Sequence, residues 1–127
     1  MKLINDTNSA AAIGPYSHAV TAGNLLFTSG QIPVNPETSS LVEDEITAQT
    51  EQVIKNLESI LKSQDLSLNN VIKTTVFLKD MKEFAGFNSV YEEKFGTHKP
   101  ARSTIEVSSL PLDSRVEIEA IAEISPL

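Results

Sequence analysis

A chain of 127 residues with 40% hydrophobic and 21% charged residues has the composition of one soluble domain around one core. A net charge of −7 disfavours phosphate-backbone partners and anionic membrane surfaces, and no apolar run reaches the length of a membrane span. Cysteine is absent, which removes disulfides, thiolate metal sites and a cysteine nucleophile; with no signal peptide discernible, a cytoplasmic protein is expected.

In chain order, residues 17–21 and 24–30 read as two strands joined by a turn at Gly23-Asn24. Pro33 and Pro36 then mark a loop. From about Glu43 to Ser63, Ile46, Val53, Leu57, Ile60 and Leu61 recur at helical spacing, with Glu43, Asp44 and Glu45 at the front and Lys55 and Lys62 later, as the helix dipole favours. Residues 71–79 are β-branched and apolar, a strand. Asp80 is placed to cap a second helix, with Glu83 completing a capping box, and Gly96 ends it. Strands at 101–107 and 115–124 follow, connected through Leu110-Pro111-Leu112-Asp113.

The order hairpin, helix, strand, helix, hairpin predicts an α+β fold with a mixed sheet. In the last strand Val116, Ile118, Ala120, Ala122 and Ile124 alternate with Glu117, Glu119, Ile121 and Glu123, so the two helices should cover one face and leave the other bare. A two-layer sandwich within residues 1–127 is expected.

Eight of the ten basic residues are lysine, so each arginine invites a reason. Arg102 lies mid-strand, alternating with small and apolar residues together with Thr104 and Glu106. If the last two strands pair as a hairpin, these three meet Glu117 and Glu119 on the bare face. Guanidinium is a rigid fork that matches a carboxylate, and a glutamate nearby could steer a water. A cross-strand ion pair with Glu106 or Glu119 accounts for the same pattern, and spacing alone favours it. Asn88, inside the apolar stripe of Phe84, Tyr91 and Phe95, must bind either backbone or a ligand. His18 and His98 are the only histidines and lack metal-ligand spacing, so no metal site is expected.

The segments Gly14-Pro15-Tyr16-Ser17, Ser29-Gly30-Gln31-Ile32-Pro33 and Lys73-Thr74-Thr75-Val76-Phe77-Leu78-Lys79-Asp80-Met81 form one series with Asn88 and Tyr91. The series continues through Pro100-Ala101-Arg102-Ser103, Glu106-Val107, Leu110-Pro111 and residues 116–122. In this order they resemble the RidA family, the reactive intermediate deaminases also called YjgF-like or liver perchloric-acid-soluble proteins. The resemblance implies a chorismate-mutase-like fold assembled as a homotrimer, with sites in clefts between subunits. It implies hydrolysis of 2-imino acids such as 2-iminobutanoate and 2-iminopropanoate, formed from enamines released by pyridoxal-phosphate dehydratases, to 2-oxo acids and ammonia without a cofactor.

By position, Arg102 would grip the substrate carboxylate and Glu117 would activate water, assisted by the backbone carbonyl of Thr104. Tyr16, Ser29, Gly30 and Asn88 would line the cleft. Many members carry cysteine where this chain has Thr104. The family is also associated with an endoribonuclease or translation-inhibitor role, which the acidic charge disfavours. A non-catalytic module that binds a small carboxylate or a partner protein is the third expectation.

Overall fold

A computed structural model describes residues 1–124. The chain runs β1 (Lys2–Ile4), β2 (Ala19–Ala22), β3 (Leu25–Thr28), β4 (Val34–Asn35), β5 (Ser40–Leu41), α1 (Ile46–Lys62), β6 (Val71–Leu78), α2 (Phe84–Phe95), β7 (Ala101–Glu106) and β8 (Val116–Glu123). Six strands form one sheet in the order β1-β2-β3-β8-β6-β7, and β4 pairs with β5 separately. Among the described residues β6 and β7 form the only parallel pair and the other pairs are antiparallel, so the expected mixed sheet is present.

Two expectations of local pairing are corrected. The two carboxyl-terminal strands do not form a hairpin: β8 inserts between β3 and β6, while β7 lies at the edge beside β6. Consequently β3 and β6 run in the same direction but are separated by β8, so one strand–helix–strand unit skips a neighbour. The capping box is also not made. Asp80 accepts from the Lys82 N–H in a short 3-10 turn, whereas Glu83 turns to Arg115. The segment before β2, and the loop read from Pro33 and Pro36, carry short strands that periodicity could not resolve.

The helices cover one face. Val53, Ile54, Leu57, Ile60 and Leu61 of α1 and Phe87, Tyr91 and Phe95 of α2 are buried against Val71, Val76, Leu78, Val116, Ile118 and Ala122. Removing this apolar surface from water is the main stabilising term. The helix of α1 begins at Ile46, so the three acids precede it; Asp44 is used by Arg115 instead. Arg115 binds Asp44 at 2.7 Å and Glu83 at 2.9 Å, and its backbone N–H donates to Gln49. It thereby ties the starts of both helical regions to β8.

Among the described residues, nothing covers the opposite face. Leu3, Phe27 and Ile105 are exposed on it, with Phe77 and Ile121 partly so. Their shared side follows from the register, which aligns Phe27 with Ile121 and Phe77 with both Ile105 and Glu117. Among the described residues, no helix is long and apolar enough to cross a membrane.

Candidate active site

The predicted residues fall into two groups, and one copy of the chain holds them on opposite faces of the sheet. Glu117 lies between the buried Val116 and Ile118, so it points to the bare face. Arg102 aligns with Thr74, whose side chain is buried under α2, so Arg102 and Thr104 point to the helix side. The expectation that Arg102 shares a face with Glu117 and Glu119 is therefore corrected. The apolar side of edge strand β7, with Ile105, is the one that faces outward.

The first group forms around Glu117. Gln31 exchanges backbone hydrogen bonds with Ile118 at 2.8 and 3.1 Å, which carries the chain leaving β3 across β8. Gly30 is thereby pressed onto the Glu117 carboxyl group: a Cβ at Gly30 would sit 2.8 Å from Glu117 Cδ, so any side chain there would push the carboxyl group aside. Ser29 donates its hydroxyl to Ser17 O at 2.6 Å, so its proton is spent on backbone. Tyr16 accepts from the Ile13 N–H at 3.1 Å, which leaves its own O–H free to donate. Ile13, Tyr16, Ser29, Gly30, Pro111 and Glu117 line a cavity of about 380 Å³. Burial raises the pKa of Glu117, and the neighbouring charge of Glu119 raises it further. No ion pair reaches Glu117 among the described residues. The result is a carboxylate of increased basicity.

The second group forms around Arg102. Its Nη1 donates to Asn88 Oδ1 at 2.8 Å. Its Cζ lies 4.8 Å from the Tyr91 ring centroid and 5.6 Å from those of Phe84 and Phe87. Tyr91 is in turn fixed by a 2.7 Å bond to Thr74. Asn88 thus does not tie down backbone: its Oδ1 orients a guanidinium, and it lines the cavity beside that guanidinium. The ion-pair reading of Arg102 also fails. Glu106 accepts from the Met81 N–H at 2.8 Å, and Glu119 is on the other face. Among the described residues Arg102 has no acidic partner, and its ring cushion stabilises cation without neutralising it. A cavity of about 420 Å³, lined by Asn88, Tyr91, His98, Lys99 and Arg102 among others, opens beside it.

Thr104 follows on the same side of β7. Its hydroxyl oxygen is buried without a hydrogen-bond partner among the described residues. Sequence reasoning missed Phe87, Phe84 and Thr74 as supports of Arg102. Their spacing marks them as core; only the β6–β7 register shows that they also hold a cation.

Known proteins match the chain and its fold over nearly its whole length. The family model described as endoribonuclease L-PSP matches residues 7–124. A RutC family protein of Pyrococcus horikoshii is 53% identical over 95% of this chain and 96% of its own. The 2-iminobutanoate/2-iminopropanoate deaminase of Escherichia coli is 47% identical over the same shares, 95% and 96%. The crystal structure of Escherichia coli TdcF with bound serine superposes with a TM-score of 0.93 at 40% identity, covering 98% of this chain and 100% of that one.

Proposed function

Because the chain belongs to the RidA family of YjgF-like and L-PSP proteins, we propose that it hydrolyses 2-imino acids to 2-oxo acids and ammonia. The observation that carries this reading is Arg102: a half-buried guanidinium, oriented by Asn88 and aromatic rings, with no acid of its own. Such a group is prepared for an incoming carboxylate. The deaminase relatives and the serine bound to a structural neighbour support an amino-acid-like ligand.

Arg102 holds the substrate carboxylate and Tyr16 and Asn88 narrow the cleft around it. Glu117 takes a proton from water as the water oxygen bonds to C2 of the imine, giving a carbinolamine. That proton completes the amino group of the carbinolamine; Glu117 then carries the hydroxyl proton to the same nitrogen, the C–N bond breaks, and ammonia leaves as the C2 carbonyl forms. The backbone carbonyl of Thr104 helps to hold the water. A 2-imino acid already hydrolyses in water, so orientation and proton transfer supply the gain.

Arg102 and Glu117 occupy opposite faces of one sheet, so a small substrate that touches both must lie between two copies. The homotrimer supplies such clefts and covers Phe27 and Ile105. The test is 2-oxobutanoate release when a threonine dehydratase supplies the enamine in the presence of this protein. Equal rates with wild type and Arg102→Ala would refute the reading. For the endoribonuclease reading, both ring nitrogens of His18 are committed to backbone, and His98 Nε2 is held 2.6 Å from Val71 O. RNA cleavage surviving removal of contaminating nucleases would restore it.

A further inference from the structure

Among the described residues no hydrogen-bond donor and no cation reaches the Glu117 carboxyl group, although it is partly buried. Asp6 shows the contrast. It is buried too, but it accepts from the Asn8 N–H and from the Ser9 and Ser59 hydroxyls, donors that favour its charged form. Nothing of that kind holds a charge on Glu117. Burial first, and then the charge of Glu119, raise its pKa in the same direction, toward the acid form.

The walls around this carboxyl group are largely hydrocarbon. Ile13, Ile32 and Pro111 line its cavity and offer no side-chain hydrogen bond. Ser29 has already given its proton to Ser17 O, so Tyr16 is the other side chain there with a proton to donate. In the proposed deaminase Arg102 holds the ligand carboxylate, and C2 then carries a nitrogen and C3. The apolar end of the ligand, which begins at C3, belongs against Ile13, Ile32 and Pro111, beside Glu117. A carboxyl group placed to activate water at C2 is one bond away from C3. What a dehydratase releases is an enamine, with its double bond between C2 and C3, whereas hydrolysis needs the double bond on nitrogen.

We propose that Glu117 also protonates C3 of the enamine, so that the site is an enamine tautomerase as well as an imine hydrolase; this rests on the deaminase reading and extends it. The Glu117 O–H bond breaks, its proton bonds to C3 through the C2–C3 π pair, and the nitrogen lone pair completes the C2–N double bond of an iminium. Glu117, now a carboxylate, takes a proton from water as the water oxygen bonds to C2. It gives that proton to nitrogen and takes the hydroxyl proton as the C–N bond breaks. Ammonia leaves, the C2 carbonyl forms, and Glu117 is again the acid. A turnover therefore begins and ends on the acid form when an enamine enters, and on the carboxylate when an imine enters.

The experiment reads the face of C3 that receives the proton. Free tautomerisation delivers to both faces equally, whereas a carboxyl group fixed on one side of the ligand plane delivers to one. Threonine dehydratase supplies the enamine of 2-oxobutanoate to the full-length protein in deuterium oxide, and a hydroxy-acid dehydrogenase with NADH reduces the product before C3 can exchange. Proton NMR then distinguishes the two C3 positions of the 2-hydroxybutanoate, with the dehydratase alone as baseline. Deuterium at one position should exceed the other by about tenfold, as a general acid that outruns free tautomerisation by about 10² allows. A split equal to the baseline, with 2-oxobutanoate release still accelerated, would overturn this proposal and leave the deaminase reading standing. No acceleration at all would sink the deaminase reading, and this one with it. Tyr16→Phe should keep the bias; its loss there, with release still accelerated, would make Tyr16 the donor and end the assignment to Glu117. Folded Glu117→Gln should return the baseline split, and a bias that survives it would count equally against the proposal.

Discussion

The two arginines of this chain show how surroundings divide one residue type into two roles. Arg115 is saturated by acids: Asp44, Glu83 and the helices behind them hold it in an ion-pair network that raises its pKa above the ordinary value, chiefly through its bond to Asp44. Arg102 receives one amide oxygen and three ring faces, none of which carries a full negative charge. The first positive charge is spent on the fold. The second remains available to a ligand.

Substitutions can break that contrast. Arg102→Ala should lower kcat/KM for the coupled imine by about 10³ or more, the worth of a bidentate carboxylate pair, with little change in melting temperature. A comparable loss for Arg115→Ala in the folded protein would erase the distinction. Gly30→Ala should cost about 10² in kcat, because its methyl group displaces the Glu117 carboxylate from its place; steady-state kinetics checks this, with circular dichroism showing an unchanged fold. Arg115→Ala should leave kcat/KM per folded molecule unchanged and reduce unfolding free energy by about 1 kcal/mol, as expected for a partly exposed network, in a urea titration.

Smaller effects sharpen the picture. Glu119→Gln removes the second cause of the raised Glu117 pKa, after burial. A general base works when deprotonated, so the acidic limb of the pH profile of kcat/KM should move to lower pH, and an unmoved limb would leave burial as the sole cause. Thr104→Val should change the rate least. Its hydroxyl has no partner to lose, so activity stays the same if only the backbone acts, and stability in the same urea titration is equal or slightly higher.

Several features were legible before any coordinates. The α1 stripe of Val53, Leu57, Ile60 and Leu61 and the alternation of β8 are strong periodic signals, and both correspond to buried faces. The sequence marks Asn88 and Arg102 separately, and the fold joins them by a direct bond. What was not legible is the insertion of β8 between β3 and β6. A hairpin is the default for consecutive strands, and only tertiary packing selects the longer path. That path also decides which way Arg102 points. An apolar residue in a strand predicts an inward side chain at Ile105, but β7 is an edge strand whose inner side is furnished by the rings of α2.

Gly30 carries a consequence beyond fitting a tight space. A carboxylate loses water on whichever side backbone comes close, and Glu117 loses it where a methyl group is missing from Gly30. Proton affinity at this position is therefore set partly by the separation of two stretches of main chain. A shift in how the turn after β3 rests on β8 would retune the base without altering any ionisable residue.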